Sequence, residues 1–347
     1  MNAYLTSPPP RPVVALTLGD PAGIGPELIA KLLAKPDVCS RANVVLVGDP
    51  WLWAQGQEIA GQTVPVQTVS QLSEVRLRPQ QDQPAFLAMN TVQPEDVQRG
   101  VAAAAGGQSV LQVLDLCMDA TLAGDIDAIC FAPLNKQAMK IGGMQHEDEL
   151  HHFAAHLKVD SYFCEFNTLG ALWTARISSH IPLKDVSQWV QKPRIKEAAR
   201  LIHRSLKANG VVNPRVAVAG FNPHNGDGGV CGREEIDTII PAVQELQAEG
   251  LNVIGPFPAD TIFLKARDGE VDAIVTMYHD QGQIAIKLMG FSQGVTVQGG
   301  LPIPITTPAH GTAYDIAGQG LANVDATANA FAIACRMGRA LRSPVQA

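Results

Sequence analysis

The sequence predicts an α/β protein built on a mostly parallel sheet with helices on both faces. Two observations carry that expectation. Short β-branched or apolar runs end in glycine or proline and lead into helix-like segments, the alternation that builds parallel sheets. The runs are apolar throughout instead of alternating with polar residues, as in strands covered on both faces. A chain of 347 residues exceeds the usual single core, so two domains or one large α/β domain are expected.

The strand candidates, in order, are 13-VVALTLGD-20, 44-VVLVGD-49, 128-AICFAP-133, 215-RVAVAGFNP-223 and 272-DAIVTMYHD-280. Helix candidates are 27-ELIAKLLA-34, 109-SVLQVLDLCMDATLAG-124, 194-RIKEAARLIHRSLKANG-210 and 234-EEIDTIIPAVQELQAEG-250. Gly124, Gly210 and Gly250 stand where a glycine just past the last turn stops a helix. The opening MNAYLTSPPPRP reads as a flexible, proline-stiffened arm with no charged-then-apolar secretory pattern.

With 46% hydrophobic and 17% charged residues, the composition is that of a compact soluble enzyme or binding protein. A net charge of −7 and no basic block exclude sequence-independent nucleic-acid binding, which needs clustered cations to displace counterions. Apolar runs stay short of the roughly 18 to 20 residues that span a bilayer, so no membrane association is expected. The six cysteines show no C-x-x-C spacing and read as reduced, mostly buried thiols of a cytoplasmic protein.

The polar motifs follow the strand candidates, where ligands of open parallel sheets bind. In 19-GDPAGIGPE-27, Gly19 and Asp20 close a strand, Gly23 and Gly25 allow close backbone approach, and Pro26 begins a helix whose N-terminus favours an anion. This is either a cofactor cradle or a plain strand-to-helix turn. His180 in SSH, His224 in NPH and His279 in YHD each follow an apolar run. Three neutral imidazoles could hold a divalent cation, although hydrogen-bonded structural histidines have the same spacing. His151, His152 and His156 read as solvated helix-face residues. Lys136, after APLN, could steady an anion or move a proton, or be a surface lysine. Loop 309-AHGTAYDIAGQGLAN-323 carries His310, Gly311, Asp315 and Asn323 and could wrap an adenosine without a Rossmann turn.

Taken in order, GDPAGIGPE, APLNK, the histidine turn before PLKD, NPH-x-G, PADT-x-F, YHDQG-x-x-x-x-K and GLP…HGTA-x-D-IAG resemble the 4-hydroxythreonine-4-phosphate dehydrogenase family from about residue 13 to 337. The first and last motifs are also similar to those of isocitrate and isopropylmalate dehydrogenases. The resemblance implies two α/β/α domains with the active site in the cleft between them. It places an NAD-binding domain at about 12–130 plus 300–347 and a substrate, metal and dimerisation domain at 131–299. It implies a homodimer that shares its metal site.

On matching positions, His180, His224 and His279 would hold zinc, magnesium, manganese or cobalt. His146 and Lys287 would meet a small-molecule substrate, with Lys136, His146 and Asp280 as the catalytic set. Gly19, Asp20, Gly23, Gly25 and the 310–323 loop would hold NAD. A cation beside the substrate hydroxyl would ease alkoxide formation during hydride loss, and a neighbouring carboxylate could then leave as carbon dioxide.

The chain departs from the family's phosphate-binding pattern. GHTE is replaced by Gln145, His146, Glu147 and Asp148; the asparagine of GVN is Thr296; the arginine of FIRTS is Ile305. Loss of an arginine removes a planar phosphate partner. In lacking that arginine the chain is similar to one branch of the family, the terephthalate cis-dihydrodiol dehydrogenases, and this resemblance implies a terephthalate-type cis-dihydrodiol as substrate, with Glu147, Thr296 and Ile305 among the substrate-binding positions. The alternatives are 4-hydroxythreonine 4-phosphate or a related sugar-acid phosphate, and a non-catalytic two-domain binding protein.

Overall fold

The computed structural model describes residues 11–77 and 82–342; the proline-rich arm before Arg11 lies outside them. The chain divides into two compact units. Unit 1 comprises Met1–Met144, Thr312–Ala322 and Phe331–Ala347, and unit 2 comprises Gln145–Gly311 and Asn323–Ala330.

Unit 1 carries strands β1 (Val13–Thr17), β2 (Asn43–Gly48), β3 (Gln67–Val69), β4 (Ala85–Ala88) and β5 (Ala128–Phe131). They run parallel in the order β3-β4-β2-β1-β5. Every residue of β1 and β5 is buried, which is why neither shows a polar alternation. Helices Gly25–Leu33 and Ala104–Leu122 bury Leu28, Ile29, Leu32, Leu114 and Met118 almost completely.

Unit 2 carries β6 (Cys164–Leu169), β7 (Leu172–Arg176), β8 (Val216–Ala219), β9 (Val253–Phe257), β10 (Ala273–Thr276), β11 (Val295–Gly299) and β12 (Ile305–Pro308). Their order is β12-β11-β6-β7-β10-β8-β9. Strands β7, β10, β8 and β9 are parallel, whereas β12, β11, β6 and β7 pair antiparallel. Strand pairing is mostly parallel, as expected, and the antiparallel half of unit 2 is a local exception. Its hairpin closes at Gly170–Ala171, where Gly170 takes φ +58, and the short loop lacks the crossover helix that parallel pairing requires.

Strand β6 alternates: Phe166 and Thr168 are buried, while Glu165 and Asn167 are half-buried on the other face. Phe166 packs against Trp173 of β7 with ring centroids 5.9 Å apart. All six cysteines are free thiols, four of them buried. Among the described residues, no helix is long and apolar enough to cross a membrane.

Candidate functional site

Three adjacent parallel strands of unit 2 set the positions of the three motif histidines. His180 follows β7, His279 follows β10 and His224 follows β8, and β10 lies between the other two. Because the strands run the same way, their carboxyl ends share one edge of the sheet. Side chains then stitch the ends together. Ser178 Oγ donates to the Met277 carbonyl (2.7 Å), Gln281 Oε1 accepts from Met277 N–H (2.7 Å), and Gln281 Nε2 donates to the Gly220 carbonyl (2.8 Å).

The NPHNGDGG segment is a tight turn. His224, Asn225, Gly226, Asp227 and Gly228 all have positive φ, from 44 to 79, a region that non-glycine residues seldom adopt. Glu235, 1% exposed, holds the turn by accepting from Phe221 N–H and Asn222 N–H, both at 2.7 Å. Asn225 Nδ2 donates to the Pro256 carbonyl at 2.9 Å. The turn leaves His224 exposed.

His180 and His279 stand with ring centroids 6.0 Å apart. His279 Nδ1 hydrogen-bonds Asp280 Oδ1 at 2.7 Å, the kind of carboxylate partner that orients a metal-binding imidazole. His180 Nδ1 faces Glu147 Oε1 at 3.5 Å and Asp148 Oδ2 at 3.8 Å. Among the described residues, the group of three candidate donors that gathers within 4.8 Å is Glu147, Asp148 and His180; the three histidines do not gather so closely within one chain. An imidazole oriented by a carboxylate, and another beside two carboxylates, form a donor set that fits a divalent cation.

A cavity of about 210 Å³ in unit 2 is lined by His180, Glu147, Asp148, Glu165, Arg176 and Arg194, among others. Arg176, with a side chain only 7% exposed, is a residue that sequence reading missed. Its Nη2 donates to Glu165 Oε2 (2.7 Å), Nη1 to Asn167 Oδ1 (2.8 Å) and Nε to Ser179 Oγ (2.9 Å), next to His180. Alternation along β6 and β7 was the available signal, since Glu165, Asn167 and Arg176 share one face. Desolvation raises the thiol of the half-buried Cys164 to about 12, so it stays protonated.

The remaining unit 2 positions are less uniform. His146 is half-buried with its ring 5.7 Å from that of His152. His151, His152 and His156 lie on helix Glu149–His156 and are partly exposed; His151 bonds Asp148 Oδ1 at 2.7 Å and meets Phe163 edge-on. Lys287 is exposed on helix His279–Gly290, and Thr296 Oγ1 accepts from Asn167 Nδ2 at 3.3 Å. Ile305 has no exposed surface within β12, so its side chain is core. His310, Gly311 and Asn323 also belong to unit 2.

In unit 1, the Gly19–Glu27 turn is packed from within. A Cβ on Gly25 would lie 2.1 Å from the Leu18 carbonyl oxygen, which demands glycine there. Asp20, 1% exposed, accepts from Ala22 N–H and from the Tyr314 hydroxyl, both at 2.8 Å. Burial pushes its carboxyl above the usual aspartate range, opposed by these two hydrogen bonds. Glu27 accepts from Gly318 N–H (3.3 Å) and Ala322 N–H (3.1 Å), and Lys31 Nζ donates to the Gly320 and Ala322 carbonyls. Gly23 abuts Thr312, and Ile24 N–H donates to the Thr312 carbonyl at 3.1 Å. Asp315 is exposed on that loop, and Lys136 is exposed at the start of helix Lys136–Ile141, capped by Asn135.

Comparison with known proteins matches residues 40–334 to the family described as pyridoxal phosphate biosynthetic protein PdxA. A Pseudomonas aeruginosa protein provisionally named 4-hydroxythreonine-4-phosphate dehydrogenase 2 is 51% identical, over 95% of this chain and 98% of its own. An Oceanobacillus iheyensis protein provisionally named D-threonate 4-phosphate dehydrogenase is 34% identical over 90% and 93%. The crystal structure of 4-hydroxythreonine-4-phosphate dehydrogenase from Klebsiella pneumoniae superposes with a TM-score of 0.81 at 32% identity, covering 94% of this chain and 99% of that one. Terephthalate 1,2-cis-dihydrodiol dehydrogenase from Burkholderia xenovorans gives 0.63 at 27%, covering 90% and 94%. The dihydrodiol dehydrogenase is thus less similar to this chain than the three phosphate-named proteins are. The chain belongs to the PdxA family, as a dehydrogenase acting on a CH–OH group.

Proposed function

We propose that this enzyme oxidises the secondary alcohol of 4-hydroxythreonine 4-phosphate, using NAD and a divalent cation, with loss of the neighbouring carboxylate. The observation that carries the chemistry is the pair of imidazoles at the ends of β7 and β10, with Asp280 orienting His279. The 51% identical relative's name carries the substrate. D-threonate 4-phosphate, named for a 34% identical relative, is the second substrate of the same class.

His180, His224 and His279 would hold the cation. When bound, it supplies positive charge that lowers the substrate hydroxyl's pKa. That the three do not gather within one chain supports donation from two subunits of a homodimer. Asp280 Oδ1 keeps His279 in one orientation, and Lys136 or a bound water is assigned to the transfer of the hydroxyl proton. His146, Lys287 and Thr296 are assigned to the substrate. Gly19, Gly23, Gly25 and the loop through Asp315 are assigned to NAD, with Asp20 shaping their turn from inside.

Ile305 supplies no surface for an aromatic ring, which removes the argument that favoured a dihydrodiol. The test is NADH formation with 4-hydroxythreonine 4-phosphate, D-threonate 4-phosphate and the terephthalate dihydrodiol, before and after chelation and metal restoration. Turnover of the first, lost on chelation, is expected. Turnover of the dihydrodiol alone would overturn the assignment.

A further inference from the structure

Arg176 stands at the head of a chain of hydrogen bonds that ends on a position assigned to the substrate. Strand register puts Asn167 of β6 directly opposite Thr296 of β11 on one side and Thr174 of β7 on the other. Arg176, two residues beyond Thr174, shares that face of the sheet. Its Nη1 donates to Asn167 Oδ1 at 2.8 Å, and Asn167 Nδ2 donates to Thr296 Oγ1 at 3.3 Å. Glu165 Oε2 accepts from Arg176 Nη2 at 2.7 Å and balances its charge within the same cluster.

The direction of this chain is forced. A guanidinium carries donors and no acceptor, so the oxygen of the Asn167 amide must face Arg176 and the amide nitrogen must face Thr296. Gln283 Nε2, from helix His279–Gly290, brings a second donor to the same Oδ1. Thr296 Oγ1 is therefore an acceptor toward Asn167, and its own hydroxyl proton must point elsewhere. Among the described residues that proton meets no acceptor. Thr296 is half-buried, so it keeps surface through which a ligand can reach the hydroxyl.

We propose that Arg176, acting through Asn167, fixes Thr296 as a hydrogen-bond donor to a phosphoryl oxygen of the substrate. An ionised phosphate offers strong acceptor oxygens, which suit a hydroxyl whose proton is uncommitted and mismatch one whose proton is already given away. Arg176 and Asn167 are positioning residues, and Thr296 supplies a phosphate contact where the family motif has an asparagine. The inference deepens the proposed function and rests on it for the placing of Thr296 beside the substrate.

Calorimetric titration of the metal-loaded protein with 4-hydroxythreonine 4-phosphate, without NAD, reads this contact in the absence of turnover. Thr296→Val keeps the shape and removes the hydroxyl, and should weaken Kd about tenfold or more; Thr296→Ser should stay within about threefold of wild type. Asn167→Asp keeps a partner for Arg176 but offers acceptors alone, so it draws the Thr296 proton inward and should also weaken Kd about tenfold. In the Thr296→Val background the same change should cost less than about threefold, because the hydroxyl through which it acts is gone. Arg176→Met with Glu165→Gln leaves no unpaired carboxylate, frees the Asn167 amide to turn, and should weaken Kd about fivefold with Thr296 present and by less than about twofold in Thr296→Val. A merely structural role would weaken both backgrounds equally. An unchanged Kd in Thr296→Val, or full additivity in either combination, would overturn the inference. This pattern of binding without oxidation of the ligand once NAD is added would remove the functional reading and leave the donor assignment standing; no binding of the phosphorylated acid by the wild type would overturn both.

Discussion

The Gly19–Glu27 turn of unit 1 and the histidine loops of unit 2 both follow apolar strands and both carry motif residues, yet they are finished in opposite ways. In unit 1 the polar side chains are consumed internally: Asp20 and Glu27 are each 1% exposed and bonded to Tyr314 and the 312–322 backbone. In unit 2 the buried polar groups stand behind the motif and leave it open. Glu235, Gln281 and Arg176 hold the loops, while His180 and His224 are exposed. A motif's polar side chains can therefore be buried and bonded in one place and left open to solvent in another.

That contrast predicts which substitutions spare stability and which spare chemistry. His224→Ala should lower turnover roughly 1,000-fold as metal charge at the hydroxyl is lost. Its unfolding free energy should move by less than about 0.5 kcal/mol, as for exposed side chains generally. NADH formation and urea unfolding measure the two; an equal loss of stability would erase the distinction between the regions. Gly25→Ala should instead act on stability, destabilising by about 3 kcal/mol because the new Cβ meets the Leu18 carbonyl. A native denaturation midpoint in that variant would show that the turn can relax.

Glu27→Ala should cost about 2 kcal/mol by leaving two backbone donors without their carboxylate, again seen in urea unfolding. Asp280→Asn sharpens the unit 2 side, with metal affinity falling about tenfold while stability holds, read by metal titration. The smallest effect concerns pH. Asp20's carboxyl is raised above its ordinary value of 3.8, so the folded state disfavours its charged form. Its contribution is therefore a loss of stability as pH rises through 3.8 to the folded value. Asp20→Asn should flatten that part of the thermal unfolding profile against pH, and an identical profile would place the cause elsewhere.

By itself the sequence determined the elements whose chemistry is local. The continuous apolar runs at 13–17, 128–131 and 273–276 became strands because burial on both faces needs no alternation. Family likeness and the motif order pointed to a dehydrogenase. Spacing could not reveal which histidines approach one another, since His180 and His279 are 99 residues apart and meet only because β7 and β10 are neighbours. Ile305 looked like a binding residue because an arginine was missing there; only the fold showed it buried. Arg176, Glu165 and Asn167 were separately unremarkable, since a cross-strand polar cluster depends on register. Glu147 read as a lost phosphate contact until the His180 loop brought its carboxylate within 3.5 Å of an imidazole. Local patterning sets what each segment can be, and strand order and register decide which side chains share a site.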